Sequence, residues 1–246
     1  MISFLRKIRQ KLLSQNKVTR YLTYAVGEIF LVVIGILIAL QVNNWNQSQQ
    51  QTKLERRILI EINNNLKDDL IDVQDEIESF EITMRLDSIL IQHFKSGQPF
   101  TDSIGAFLHV VEMSPHLSPG QNGYKLLQSK GIDVISIDSL RMKISNLYER
   151  SYPYYMTYAR ERFQLIESEI KPYWTRNFYI EKYDQWPFRK RVPVDYQELL
   201  DDSRFIPLIH GSSFQASVML NRSKNLKEEI EDVRLSIQEF LEIDQK

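Results

Sequence analysis

The sequence predicts an all-α protein: one N-terminal transmembrane helix, then an elongated extracytoplasmic helical bundle framed by a long N-terminal and a long C-terminal helix lying antiparallel. Three observations carry this. An apolar run near the N-terminus has cations on one side only. Two stripes of apolar residues at spacings of three and four occupy opposite ends of the remaining chain. Glycine and proline, eight of each in 246 residues, are too few for a loop-rich or sheet-rich protein. The expected organisation is a cytoplasmic basic segment over 1–23, a membrane helix over 24–45 and an extracytoplasmic helical domain over 46–246.

The apolar run reads AVGEIFLVVIGILIALQV from Ala25 to Val42. As a helix it extends about 27 Å at 1.5 Å per residue, close to the hydrocarbon thickness of a bilayer. Tyr21, Tyr24 and Trp45 bracket it as interface anchors, because aromatic rings favour the water–lipid boundary. Arg6, Lys7, Arg9, Lys11, Lys17 and Arg20 precede it, while NNWNQSQQQT after it carries no charge. The positive-inside rule therefore places the N-terminus in the cytoplasm and the rest of the chain outside. The run is read as an uncleaved anchor, since Leu37 spoils the small-x-small pattern that cleavage at Ala39 requires. Residues 2–13 read either as a basic amphipathic helix on the inner leaflet, with Leu5, Ile8 and Leu12 on one face, or as an ordinary basic flank.

Glu28 is an ionisable residue within the span. It can pair with a basic group on another chain or carry protons; alternatively it lies at the headgroup boundary, merely hydrated. Gly27, Gly35 and Ala39 fall near one face, and Gly35-xxx-Ala39 is a small-xxx-small spacing that admits a second helix.

The run GEIFLVVIGILIALQVNNWN (Gly27–Asn46), preceded by FLRKIRQKLL, resembles an uncharacterised family of single-pass membrane proteins common in Bacteroidetes, classed as a domain of unknown function. YKLLQSKGIDVISIDSLRMKISNLYE (Tyr124–Glu149) is similar to a segment that follows in relatives. The resemblance implies an inner-membrane anchor with a periplasmic domain in a Gram-negative envelope. It implies no activity and no catalytic residue.

Beyond the anchor, Leu59, Ile62, Leu66, Leu70, Val73, Ile77, Phe80 and Met84 form a helical stripe in a stretch without Gly or Pro. Met219, Ser223, Leu226, Ile230, Val233, Ile237 and Phe240 form another near the C-terminus. An intramolecular antiparallel pair is expected; a parallel coiled coil between protomers is the rival reading. Between the stripes, shorter helices are expected over Asp102–Met113 with Asp102 as cap, over Tyr124–Lys130 ending at Gly131, and from Ser136 through Leu147. A longer helix is expected from Pro153 to about Tyr183, bent at Pro172, and a short one over Tyr196–Asp202. No alternating run argues for a sheet.

The chain outside residues 1–24 carries 25 basic and 32 acidic residues, which disfavours nucleic acid. The absence of cysteine removes disulfides, thiol catalysis and thiolate metal sites. No phosphate loop, zinc-protease motif or nucleophile elbow occurs. His109, Glu112 and His116 have helical ligand spacing, but Pro115 interrupts it, and they read as surface and loop residues. Asp68-Asp69 and Asp201-Asp202 read as solvated faces or caps. Neither a metal nor another cofactor is expected.

Aromatic residues crowd 148–188, and Arg189, Lys190 and Arg191 follow. Tyr155, Trp174, Trp186 and this cationic triplet form a candidate surface for a ligand or partner, with core packing as the plainer reading. Three functions remain: a non-catalytic anchored scaffold of an envelope complex, a ligand-binding sensor using 148–191, and a proton-coupled accessory subunit using Glu28. The expected partners are the lipid bilayer and either further copies of the chain or another membrane protein.

Overall fold

A computed structural model describes residues 18–181 and 190–243. The chain divides into two compact units, Met1–Leu54 and Glu55–Lys246. The cytoplasmic segment expected before the span, up to residue 17, lies outside the described residues.

Helix α1 (Val18–Lys95) contributes backbone to both units. In the first, Tyr21 and Tyr24 fall on its opening turns, and every residue from Ile29 to Leu40 is exposed. It is one helix long and apolar enough to cross a membrane, with a mean hydropathy of 2.5 in its most apolar window. The uncharged stretch Asn43–Thr52 is helical too, as a run without Gly or Pro permits. The helix stops at Lys95, where Gly97 takes φ +60°. Ser96 and Gly97 donate to Gln92 O and Phe94 O, so the last carbonyls are met.

In the second unit α1 buries one unbroken stripe: Glu55, Leu59, Ile62, Leu66, Asp69, Val73, Glu76, Phe80, Thr83, Asp87, Leu90 and Phe94. The spacing alternates four and three throughout. The apolar reading agrees at most positions but diverges at Leu70 and Met84, which are half-buried. Their buried neighbours are Asp69 and Thr83.

Helix α2 (Asp102–Phe107) is capped by Thr101, whose hydroxyl accepts from Ile104 N, and not by Asp102. Thr101 is the extended residue at the boundary; Asp102 sits in the first turn, where its charge suits the helix dipole. A 3-10 turn follows over Leu108–Glu112. Helix α3 (Asn122–Lys130) ends at Gly131, φ +94°. A 3-10 turn over Ile132–Val134 leads to α4 (Asp138–Asn146).

A π turn over Leu147–Ser151 joins α4 to α5 (Tyr152–Leu165), and another over Ile166–Ile170 joins α5 to α6 (Lys171–Asn177). Each π turn immediately precedes a helix with proline in its first two positions, Pro153 and Pro172. Tyr152 N and Lys171 N reach back five residues to Leu147 O and Ile166 O. The wider turn accommodates a ring that has no amide hydrogen and crowds the preceding carbonyls.

The helical run ends at Asn177 rather than near Tyr183, because two short strands form. β1 (Phe178–Ile180) pairs antiparallel with β2 (Arg191–Pro193), Tyr179 opposite Val192. Three-residue strands are too short to show an alternation in sequence. Helix α7 (Tyr196–Asp201) is capped by Asp195, whose carboxylate accepts from Glu198 N at 2.9 Å.

Helix α8 (Phe205–Ile243) begins ahead of Pro207 and passes through Gly211. Proline is tolerated in a first turn, where its missing donor has no intrahelical partner. Its buried stripe extends the expected one backwards: Phe205, Ile209, Ser212, Ala216, Met219, Ser223, Leu226, Ile230, Val233 and Ile237. Side-chain bonds between α1 and α8 run Arg56 to Leu241 O, Lys227 to Gln74, Lys224 to Glu81, and Lys95 with His210. Residue numbers rise on one helix as they fall on the other, which is antiparallel order. Helix α5 lies along α8 as well, through Arg222–Tyr158 and Arg162–Ser212, with Ser151 of the preceding π turn bonded to Glu229. Leu90, Phe94, Val111, Ile166, Trp174, Phe178, Phe205 and Ile209 belong to one apolar cluster at the α2–β1 end.

Candidate functional site

The unusual chemistry lies inside the stripe of α1. Glu55, Asp69, Glu76 and Asp87 are all buried, although a carboxylate in such a position is costly unless donors reach it. Three of the four are reached. Glu55 accepts from Ser136 N and Ser136 Oγ, both at 2.8 Å. Asp69 accepts from Gly120 N at 2.9 Å and from the Tyr152 hydroxyl. Glu76 accepts from His116 N at 2.6 Å, Leu117 N at 2.8 Å and the Tyr155 hydroxyl. The segment Ser114–Gly123, a loop and the first residues of α3, is thus laid along α1 and fastened by its own amides, with Asn65 Oδ1 taking Gly123 N at 3.1 Å.

Glycine permits this approach. A Cβ on Gly123 would lie 2.6 Å from Ile62 N, and one on Gly120 would lie 2.8 Å from Asn65 Cβ. Helix α5 supplies the other wall. Tyr152, Tyr155 and Arg162 face Asp69, Glu76 and Asp87 in turn, so the two helices run in the same direction along three rungs.

Burial pushes Asp69 and Glu76 above the ordinary carboxylate range, although donors oppose the shift in both cases. It pushes Asp87 up to about 7, against the pull of Arg162. It also draws Arg162 down to about 10. The first two rungs are closed hydrogen bonds; the third is open, because neither oxygen of Asp87 has a hydrogen-bond partner.

Asp69 therefore differs from the solvated acid expected of Asp68-Asp69. Asp202, in contrast, is hydrogen-bonded to Arg204 and Tyr173 at the start of α8. His109, Glu112 and His116 part company. His109 is buried, with Nδ1 2.8 Å from Ala106 O; Glu112 pairs with Arg191; His116 lies 3.8 Å from Glu76. Among the described residues no group of three or more His, Asp or Glu is placed to hold a metal ion.

The aromatic and cationic candidates separate in the same way. Tyr155 is 2% exposed and spends its hydroxyl on Glu76. Trp174, also 2% exposed, packs edge-on against Phe178 at 4.8 Å. Arg191, 6% exposed, lies 5.4 Å from the Trp174 ring centre and pairs with Glu112. Lys190 binds Asp102 at 2.8 Å and Glu181. Tyr155, Trp174 and Arg191 are buried, in line with the plainer reading of core packing, while Lys190 is half-buried between its two acids. Trp186 and Arg189 lie outside the described residues. An open groove of about 560 Å³ is lined by residues that include Asn146, Arg150, Tyr154, Tyr155, Arg222 and Glu229.

In and beside the apolar stretch, Gly27, Gly35, Ala39 and Trp45 are exposed and Glu28 is half-buried. A Cβ on Gly27 or Gly35 would meet nothing within 4 Å, so neither glycine is required by contacts within the chain.

Residues 28–210 match the model of a family of unknown function, DUF6090. The chain belongs to the DUF6090 family. The matched stretch of this DUF6090 protein takes in the apolar span from Glu28, all four buried acids, the loop they hold and Arg162. Most of the α8 stripe lies beyond it. No curated protein and no solved structure matches the chain.

Proposed function

We propose that this DUF6090 protein is a non-catalytic scaffold anchored in the inner membrane, with a periplasmic helical domain that docks on itself or on a membrane protein of an envelope complex. The observation that carries the reading is the apolar stretch Ile29–Leu40, exposed at every position within the protein. Such a stretch needs a lipid environment or another protein to cover it. The cations at the N-terminal side and the uncharged segment after the span support a cytoplasmic N-terminus. The small residues Gly27, Gly35 and Ala39 offer a face on which a second helix can pack, with Glu28 at its edge.

The sensor alternative draws less support. Tyr155 and Trp174 are consumed by internal contacts, and the 560 Å³ groove is open to solvent. The proton-coupled reading rests on Glu28 alone.

The deciding experiment is purification of the full chain in mild detergent, with mass measurement and identification of co-purifying proteins. A defined oligomer or a stoichiometric membrane partner is expected. A monomer without a partner would overturn the docking reading. Glu28→Gln is expected to leave assembly intact, and loss of assembly would show that the carboxylate itself makes the contact.

A further inference from the structure

Two opposite charges lie in the interior of the second unit without a hydrogen bond between them. Asp87 of α1 and Arg162 of α5 are both 0% exposed. Neither carboxylate oxygen of Asp87 has a hydrogen-bond partner, and neither does Nη2 of Arg162. The rest of the guanidinium is committed. Nε donates to Met113 O at 2.7 Å and Nη1 to Ser212 O at 2.9 Å. Ser212 Oγ in turn donates to Val111 O at 2.8 Å. Arg162 thereby fastens the chain just after the 3-10 turn Leu108–Glu112 to helix α8, with the Phe80 ring centre 5.4 Å away.

A buried ionised carboxylate beside a guanidinium ordinarily closes into a short charge-assisted pair. Left without donors it is among the costliest groups a core can hold. The open rung therefore matches a protonated Asp87. Once ionised, Asp87 attracts the one uncommitted arm, Nη2. Closing that gap displaces a guanidinium that also holds Met113 and Ser212.

We propose that Asp87 is a buried proton-binding site operating a clasp: with the proton on Asp87, Arg162 rests on Met113 and Ser212, and when the proton leaves to solvent Arg162 is drawn to the carboxylate and loosens its hold on Val111–Met113. That segment leads directly into Ser114–Gly123, so the proton acts on the part of the unit that α1 fastens through Glu76 and Asp69.

The surroundings leave Arg162 as the charged group acting on Asp87. On α1, the stripe neighbours Thr83 and Leu90 carry no charge. On α8, the register set by Glu81–Lys224 and Lys95–His210 brings the buried Ala216 and Met219 to this level, and neither titrates. From the 3-10 turn, His109 is buried, and the charges acting on it are those of Glu112 and Arg191. Burial pushes Asp87 up to about 7, which places the transition near neutrality. A carboxyl raised in the folded state contributes stability that is fully present below its unfolded value near 4. That contribution is lost as pH rises through about 7.

The test uses the full chain in detergent at pH 5.5 and pH 8. Wild type is expected to lose on the order of 5 °C in Tm over this interval. Hydrogen-exchange protection of residues 108–116, corrected for the intrinsic pH dependence of exchange, is expected to fall several-fold. Asp87→Asn, nearly isosteric with the protonated acid, is expected to keep the low-pH protection at both values. Asp87→Ser is expected to behave alike and serves if the first variant does not fold. Arg162→Gln is expected to exchange rapidly at both. Equal wild-type protection at both pH values would overturn the clasp. So would a pH response of 108–116 that persists undiminished in the Asp87 variants. Neither readout depends on what the membrane span contacts.

Discussion

Glu76 shows most plainly how one residue organises the second unit. Its carboxylate takes two backbone amides and a tyrosine hydroxyl, all from segments distant in sequence. Truncation strands two buried donors and a partly buried one together, which is far worse than losing an ordinary hydrogen bond. Glu76→Ala is expected to destabilise the protein by about 3 kcal/mol in urea unfolding, while Glu76→Gln, which keeps an acceptor, loses less. Trp174→Ala is expected to cost about 3–5 kcal/mol by the same measurement, because the ring is enclosed by Phe178, Tyr173 and Phe205. An unchanged denaturation midpoint in either alanine variant would contradict these roles. The acids themselves were visible in the sequence, but their burial was not. A carboxylate at a stripe position reads as a solvated face until the partners that satisfy it are known, and those partners lie forty to eighty residues away.

At the scale of elements, the legible features were those set by local rules. Gly131 ends α3 at a positive φ of +94°, as its place after Lys130 suggested. The stripe of α8 follows the three-and-four spacing that predicted it, and extends it to Phe205. Where long-range contacts intervened, local rules failed: β1 and β2 are held by each other across residues 181–190, and nothing in three residues of either announces it. The interval between the helices expected over Asp102–Met113 and Tyr124–Lys130 was legible as a connection, but not as one fastened to α1. Its close approach gives a sharp prediction. Gly123→Ala puts a methyl group 2.6 Å from a backbone nitrogen of α1 that cannot move aside cheaply. A loss of about 1–3 kcal/mol is expected, with faster proteolysis of the loop as a second readout. Asp195→Ala, which removes the cap of α7, is expected to cost about 1 kcal/mol in the same unfolding assay.

For the whole molecule, the proposed anchor predicts where the protein is found. The chain is expected in the membrane fraction and to resist carbonate extraction. Val33→Lys, within the exposed apolar stretch, adds roughly 2.5–3.5 kcal/mol to insertion of the helix and is expected to move protein out of that fraction. Recovery of wild type from the soluble fraction would remove the anchor reading. Protease protection of a C-terminal tag in spheroplasts tests orientation: a periplasmic domain is digested, a cytoplasmic one is spared.

The sequence alone determined the apolar span, the helical class of the chain and the stripes along α1 and α8. Each depends on residue periodicity and composition, which are local properties of the chain. Only the tertiary structure decided that the stripe of α1 passes through Glu55, Asp69, Glu76 and Asp87, that Tyr155, Trp174 and Arg191 are interior groups, and that Asp87 and Arg162 share a core without a hydrogen bond between them. Burial of a charged side chain is governed by donors brought from elsewhere in the fold. The cost of that burial is offset or left standing according to geometry that no local pattern encodes.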